Sequence, residues 1–263
     1  MIRATEISVT FNTGTAMETP ALRQVSLEIP AGQFVTVIGS NGAGKSTLLN
    51  VLAGETAPES GRILIGDIDV TSWTTAHRAA MVARIFQDPM AGSCGSLSIE
   101  ENLSLAASRG KGRGLALAVT PSTRQSFRAS LERLGLGLEN RLGDKMELLS
   151  GGQRQAISLL MATLKPMKIL LLDEHTAALD PKTASFVIDL TSSIVEEQGL
   201  TTLMVTHSMS QALDVGHRTI MLHQGEIILD VAGDERKGLS VQDLLDMFLS
   251  ARGEALDDDS ALG

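Results

Sequence analysis

The stretch "GSNGAGKST", Gly39 to Thr47, carries glycines at Gly39 and Gly44, with Lys45 and Ser46 directly after the second of them. The small residues Gly39, Ser40, Asn41, Gly42, Ala43 and Gly44 let successive backbone N–H groups turn toward one point. A helix that starts there adds the positive end of its dipole, and the result is a phosphate cradle. Lys45 reaches β- and γ-phosphates as a point charge, and the hydroxyl of Ser46, ahead of Thr47, is placed to ligate Mg²⁺. Chance matches to so many fixed positions inside a strand–loop–helix frame are uncommon, which sets aside an ordinary glycine turn.

A phosphate cradle alone leaves many chemistries open, and the later motifs narrow them. "KILLLDEHTAALD", Lys168 to Asp180, reads as a buried strand ending in two acids. Asp173 stands at the strand's C-terminal end, where open parallel sheets bind ligands and where a carboxylate can hold Mg²⁺. Glu174 beside it can orient or deprotonate an attacking water, although adjacent acids also occur as a solvated strand end. "LTTLMVTHS", Leu200 to Ser208, is a further apolar strand with His207 directly after it, placed to donate to a γ-phosphate. His77, His175, His217 and His223 have no such position and show no metal-ligand spacing. Gln87 closes the strand-like "RIFQ", and its amide can ligate Mg²⁺ or serve simply as a polar strand end.

A second glycine loop, "LLSGGQRQ", raises a different question. Ser150 caps a helix that starts at Gly151 and Gly152 and runs on through Gln153, with Ile157, Leu160, Met161 and Leu164 on its apolar face. Its N–H groups form another anion site. One nucleotide cannot occupy both mouths of one chain, so two subunits arranged head to tail are the economical solution.

These motifs need elements that hold them. "QFVTVIG", Gln33 to Gly39, predicts a strand buried on both faces, and "KSTLLNVLAG" a helix stopped by Gly54. Residues 1 to about 38 and "GRILIGDIDV", Gly61 to Val70, alternate as strands, whereas the pattern from about Asp88 to Pro166 is helical and strand-poor. "RGKGRG", Arg109 to Gly114, reads as a solvated basic loop. Val241, Leu244, Leu245 and Phe248 share one helix face that should dock on the core, and the acidic "GEALDDDSALG" should be disordered. The 263 residues fit one large domain with a subdomain, and no apolar run approaches the ~20 residues of a membrane span. A net charge of −9 supplies no field for nucleic acid or anionic lipid, so nucleic acid is not an expected partner. The N-terminus does not read as a signal peptide, and the single Cys94 fits a reducing compartment, so the chain is expected on the cytoplasmic side.

Taken in order, the motifs resemble those of the nucleotide-binding subunits of ABC transporters from about Ile2 to Leu229. Gly39 to Thr47 matches Walker A, Gln87 the Q-loop, Leu149 to Gln153 the LSGGQ signature, and Ile169 to Glu174 Walker B. Asp180 matches the D-loop and His207 the switch histidine. The resemblance implies an α/β fold with a RecA-like P-loop NTPase core, an antiparallel β subdomain and an α-helical subdomain at about 88–166, within one ATPase domain at 1–230. A helical extension at 231–250 and the acidic tail at 251–263 would follow. It implies ATP and Mg²⁺ as ligands, with Ser46, Gln87 and Asp173 on the metal. Lys45, Glu174 and His207 would be catalytic, and Ser150, Gly151, Gly152 and Gln153 would serve the nucleotide of a second copy or a related ATPase subunit. Phe11 in "ISVTFN" is the best match for the aromatic that stacks on adenine, with core packing as the other reading.

Two departures stand out: "DEHT" puts His175 where the family usually has proline, and the tract from Asn12 to Ala21 is long. The implied partners are separate transmembrane permease subunits, which would hold the chain at the cytoplasmic face of the membrane, and an extracytoplasmic substrate-binding protein. "ENRLGDKMELLSGGQRQAISLLMATL" and "LLLDEHTAALDPKT" are similar to a bacterial uptake subgroup assigned to tryptophan or tyrosine import. A soluble ABC ATPase, such as the iron–sulfur assembly type, is the alternative, and a non-hydrolysing regulator would need a defect at Glu174 or His207.

Overall fold

The structure, a computed structural model, describes residues 1–110 and 117–252, with the side chains of 251 and 252 excepted. The chain opens with long strands β1 (Ile2–Phe11) and β2 (Thr19–Ile29), followed by β3 (Phe34–Ile38) and helix α1 (Lys45–Ala53). Then come β4 (Ser60–Ile65), β5 (Ile68–Asp69) and a single turn of helix, α2 (Thr75–Arg78). A second compact unit, Ala79–Gln198, contains β6 (Val82–Ile85), α3 (Ile99–Ala107), α4 (Pro121–Glu132), α5 (Gly151–Thr163), β7 (Ile169–Asp173) and α6 (Pro181–Gln198). The chain then re-enters the first unit with β8 (Thr202–Val205), α7 (Met209–Asp214), β9 (Arg218–His223), β10 (Glu226–Ala232), α8 (Gly233–Arg236) and α9 (Val241–Arg252).

Within the first unit, β1 pairs antiparallel with both β2 and β4, and β5 continues that sheet as a short hairpin from β4. Alternation in β2, with Val25, Leu27 and Ile29 buried and Gln24, Ser26 and Glu28 on the other face, is the period-2 pattern of a sheet covered on one side. β3 is buried at all five positions, as expected for a strand flanked in parallel by β8 and β9. Its one polar residue, Thr36, is satisfied by donating to the Ala212 carbonyl at 3.0 Å, with the Thr219 hydroxyl at 2.9 Å. The α9 face docks through two of its four expected residues, since Leu244 and Phe248 are buried against Ile38, Ala212 and Met221, whereas Val241 is exposed at the start of the helix and Leu245 is only partly buried.

In the second unit β6 and β7 run parallel. The helices share one core in which Ile99 and Leu103 of α3, Phe127 and Leu131 of α4 and Ala156 and Ile157 of α5 are buried together. The described part of 88–166 contains no strand, only an isolated bridge between Ser98 and Lys145. "RIFQ" is shorter as a strand than its composition suggests: β6 ends at Ile85, and Gln87 lies exposed beyond it. The basic "RGKGRG" is only partly described. Its Arg109 is half-buried and donates to the Ala162 and Lys165 carbonyls at 3.0 and 3.3 Å, closing the C-terminus of α5, so it is not a solvated loop residue. Residues 111–114, like the acidic tail beyond 252, lie outside the described residues.

Candidate functional site

The phosphate cradle is assembled in the first unit between β3 and α1. Gly39, Gly42 and Gly44 have φ of 148°, 77° and 102°, in the region that favours glycine. Two of these glycines are also fixed by space. A Cβ on Gly39 would stand 2.2 Å from the Leu222 carbonyl oxygen, and one on Gly44 would stand 2.4 Å from the Ala21 carbonyl oxygen. The loop is thus wedged between β2 and the β9–β10 turn, whose Gly225 N–H also donates to the Ala43 carbonyl at 3.1 Å. Gly44 occupies the N-cap of α1 and brings no side-chain cap, which leaves the first N–H groups of the helix to whatever anion enters. Lys45 is buried, and its Nζ donates to the Gly39 and Ser40 carbonyls at 2.7 and 3.1 Å, placing the ammonium over the loop. Glycines that cannot become alanine, uncapped N–H groups and one buried ammonium are a donor set that fits a polyphosphate.

The far end of α1 rests on a residue that sequence reasoning missed. Arg78 is fully buried, and it donates to the Val51 and Leu52 carbonyls at 2.6 and 2.9 Å and to the Val70 and Thr71 carbonyls at 2.7 and 3.2 Å. Its guanidinium satisfies the last carbonyls of the helix, which α-helical geometry leaves orphaned, and burial lowers its pKa. An arginine after an exposed-looking "TTAH" carries no local signal for this role.

His207 is exposed just after β8. The hydroxyl of Thr206 donates to Gln211, and the Ser208 hydroxyl accepts from the Gln211 N–H to start α7, which fixes the turn that presents the histidine. One cleft of about 620 Å³ is lined by Gly39, Ser40, Asn41 and His207 together with Leu245 and Phe248 of α9. The P-loop and the switch histidine are therefore brought together. Phe11, at the end of β1, is 41% exposed and stands outside the core, which removes the packing reading of that residue.

The remaining candidates lie in the second unit. Asp173 ends β7, and its carboxylate accepts from Arg84 of β6 at 2.6 Å. Arg84 in turn lies 4.8 Å from the Phe86 ring centroid, a cation–π stack. Hydrogen bonding reaches the Q-loop from the signature helix, where Gln155 donates to the Phe86 carbonyl at 3.3 Å, one residue before Gln87. Glu174 has φ of 46°, an uncommon conformation for a residue with a side chain. Its carbonyl accepts from Ala177 N–H at 2.9 Å, closing a turn. His175 sits inside that turn, fully buried, and burial pushes its pKa down to about 4. Asp180 accepts from the Thr183 N–H at 3.2 Å at the start of α6, and the Thr183 hydroxyl, followed by that N–H, holds its carboxyl below the usual range. Each of the residues expected on Mg²⁺ carries an oxygen donor of the kind that cation takes: the Ser46 hydroxyl in the first unit, and the Gln87 amide and Asp173 carboxylate in the second.

The second glycine loop is built differently from the first. Ser150 accepts from Gln153 N–H at 3.3 Å, while the Gln153 side chain accepts from Ser150 N–H at 3.2 Å, a reciprocal capping box. Neither Gly151 nor Gly152 has a positive φ, but a Cβ on Gly152 would meet Thr183 Cγ2 at 2.2 Å. The close approach of α6 thus leaves no room for a side chain at this signature glycine.

The family profile described as ABC transporter matches residues 22–177. This chain belongs to the ABC transporter family. The tyrosine transport ATP-binding protein of Clostridioides difficile (strain R20291) is 44% identical over 94% of the chain and 98% of its own length. The aliphatic sulfonates import ATP-binding protein SsuB of Escherichia coli (strain K12) is 37% identical over 82% of this chain and 77% of its own. Among solved structures, the ATP-binding cassette MJ0796 in a dimeric post-hydrolysis state bound to ADP and Pi superposes with a TM-score of 0.75 at 30% identity, covering 88% of this chain and 98% of that one. The ABC chain is therefore an ATP-binding and ATP-hydrolysing cassette on a RecA-like P-loop fold with antiparallel and helical parts.

Proposed function

We propose that this cassette is the ATP-hydrolysing subunit of a bacterial uptake system whose cargo is an amino acid, with an aromatic side chain favoured. The observation that carries the cargo is the 44% identity, over nearly the full length of both chains, to a tyrosine transport ATP-binding protein. Import is supported more broadly, because a thiamine import ATP-binding protein of Mesorhizobium japonicum (strain LMG 29417 / CECT 9101 / MAFF 303099) is also 35% identical over 206 residues. No helix among the described residues is long and apolar enough to cross a membrane. In this reading separate permease subunits provide the path, an extracytoplasmic binding protein delivers the cargo, and the cassette sits at the cytoplasmic face. The segment from Asp88 to Leu103 after the Q-loop would receive the permease.

The chemistry assigned to the chain's residues follows from their local frames. Residues 1–230 act as one ATPase domain, with 88–166 as its helical part and 231–250 as an extension. Two cassettes pair, which the dimeric state of the relative supports, and the two separate anion mouths of each chain favour a head-to-tail arrangement. Phe11 stacks on the base, while Gly39 to Thr47 and the Lys45 ammonium hold the phosphates. Ser150, Gly151, Gly152 and Gln153 close on the γ-phosphate held by the partner cassette, with Asp180 alongside. Glu174 orients the attacking water and takes its proton as the β–γ bridging oxygen leaves, and His207 donates to the γ-phosphate. Ser46, Gln87 and Asp173 would hold Mg²⁺, which would neutralise charge on the phosphates.

Expression with the neighbouring genes tests the transport reading. Co-purification of a multispan membrane subunit, with ATPase activity raised by tyrosine and its binding protein, is the expected result. Soluble partners alone, with turnover indifferent to membrane subunits, would return the chain to an assembly ATPase. Glu174→Gln should bind ATP normally and lose roughly a hundredfold or more in turnover, within the range of a general base.

A further inference from the structure

His175 stands where relatives with "DEPT" carry proline, and the structure shows what replaces the ring. The Ala177 N–H donates to the Glu174 carbonyl at 2.9 Å, so Glu174 to Ala177 form a β-turn with His175 at its second position. Proline is favoured there because its fixed φ presets the turn. Histidine presets nothing by itself. Its side chain instead reaches sixteen residues ahead into α6, where Nε2 lies 3.1 Å from the Thr191 hydroxyl oxygen. That hydroxyl donates to the Val187 carbonyl at 2.7 Å, one helical turn earlier. A hydroxyl has one proton, and with it directed at Val187 the imidazole must be the donor, which fixes the Nε2–H tautomer. His175 is 2% exposed and Thr191 fully buried, so the bond has no competing water.

We propose that His175 is a positioning residue for Glu174: the imidazole, bound to Thr191 on α6, holds the turn that a proline ring would otherwise preset. Glu174 needs this support, because its φ of 46° is a conformation that side-chain-bearing residues hold only when their surroundings impose it. The turn also leads directly to α6, whose first turn, at Thr183, presses against the signature glycine Gly152. One buried hydrogen bond thus ties the glutamate's backbone to the helix that packs on the signature loop. The inference rests on the assignment of Glu174 to the attacking water.

The test uses the full chain in its transporter complex and separates turnover from ATP binding. His175→Ala should lower kcat by roughly tenfold, less than the hundredfold that a 1 Å misplacement can cost, with the Kd for ATP within about twofold of the parent. Thr191→Val, nearly isosteric, should lower kcat in the same direction by a few-fold. His175→Pro should restore kcat to within about threefold of the parent, because it sets the same turn by a different means. A filler of the core would give the opposite pattern, with His175→Pro no better than His175→Ala and melting temperature, KM and kcat falling together. Parent-like turnover in Thr191→Val, or failure of the proline to rescue, would overturn the proposal. Should His175→Ala not fold, the Thr191→Val and His175→Pro results decide alone. Glu174→Gln is run alongside: full activity there would remove the assignment of the glutamate, whereas an inactive Glu174→Gln with a fully active His175→Ala would remove only the positioning role.

Discussion

The two glycine loops lead into helices that are finished alike at one end and oppositely at the other. At their C-termini, α1 is closed by Arg78 and α5 by Arg109, each a guanidinium supplied from outside the helix. At their N-termini, the P-loop enters α1 through Gly44 with no side-chain cap, whereas the signature loop enters α5 through a complete Ser150–Gln153 capping box. The P-loop glycines Gly39, Gly42 and Gly44 have positive φ, and Gly39 and Gly44 lie against backbone oxygens, while Gly152 has an ordinary φ and lies against a side-chain methyl. A loop whose cap is to be a phosphate must be shaped by immovable backbone. The signature loop satisfies its own first N–H groups through the capping box and still presents the N-terminal dipole of α5.

This contrast can be broken at the arginines first. Arg78→Met should destabilise the protein by about 3–5 kcal/mol, because it removes a buried charge bonded to four carbonyls and leaves them unpaired. The same change at half-buried Arg109, which serves two carbonyls, should cost less. Urea denaturation of both variants measures the difference, and equal losses would mean that the two helix ends are held alike.

The glycines sharpen the comparison. Gly44→Ala should weaken ATP binding by roughly a hundredfold, about 3 kcal/mol, since its Cβ meets the Ala21 carbonyl and its φ is left-handed. No side-chain change should rescue it. Gly152→Ala should leave ATP affinity of the isolated cassette near the parent's and lower turnover, and Thr183→Ser, which deletes the opposing methyl, should recover part of the loss. Nucleotide titration and ATPase assays on the single and double variants separate the two cases. Rescue at the P-loop, or none at the signature, would erase the distinction.

The smallest effect is expected at the cap. Ser150→Ala should lower stability by ~1 kcal/mol through loss of the capping bond to Gln153 N–H. It should also reduce turnover in the assembled transporter more than in the isolated cassette. Thermal melts and ATPase assays in both settings would show it, and an unchanged melting temperature would mean that Gln153 alone suffices to order α5.

Legibility followed sequence distance. The P-loop, the strands of "QFVTVIG" and "KILLLD", the Ser150 cap and the Gly54 stop were readable because each depends on neighbours within a turn or a strand. The sequence reads as a strand through Gln87, two residues past its end at Ile85, because the apolar "RIF" cannot reveal where pairing with β7 stops. Arg109 reads as a solvated charge because the composition around it is that of a surface loop, and its partners lie more than fifty residues away. Arg84 carries no signal for the same reason, and Arg78 carries none because its carbonyl acceptors are backbone groups that every residue presents, so no side-chain type marks them.

By itself the sequence determined the order of the motifs, the alternation of strands and the residue types able to hold phosphate, since these rest on local sterics and on hydrogen-bonding groups carried by each residue. Only the tertiary structure decided why Gly39, Gly44 and Gly152 have no room for a side chain, which arginines close the two helices, and how a buried histidine is held at the turn position. Those are questions of which backbone oxygen, methyl or hydroxyl arrives from elsewhere within a few ångströms, and chain folding alone sets that distance.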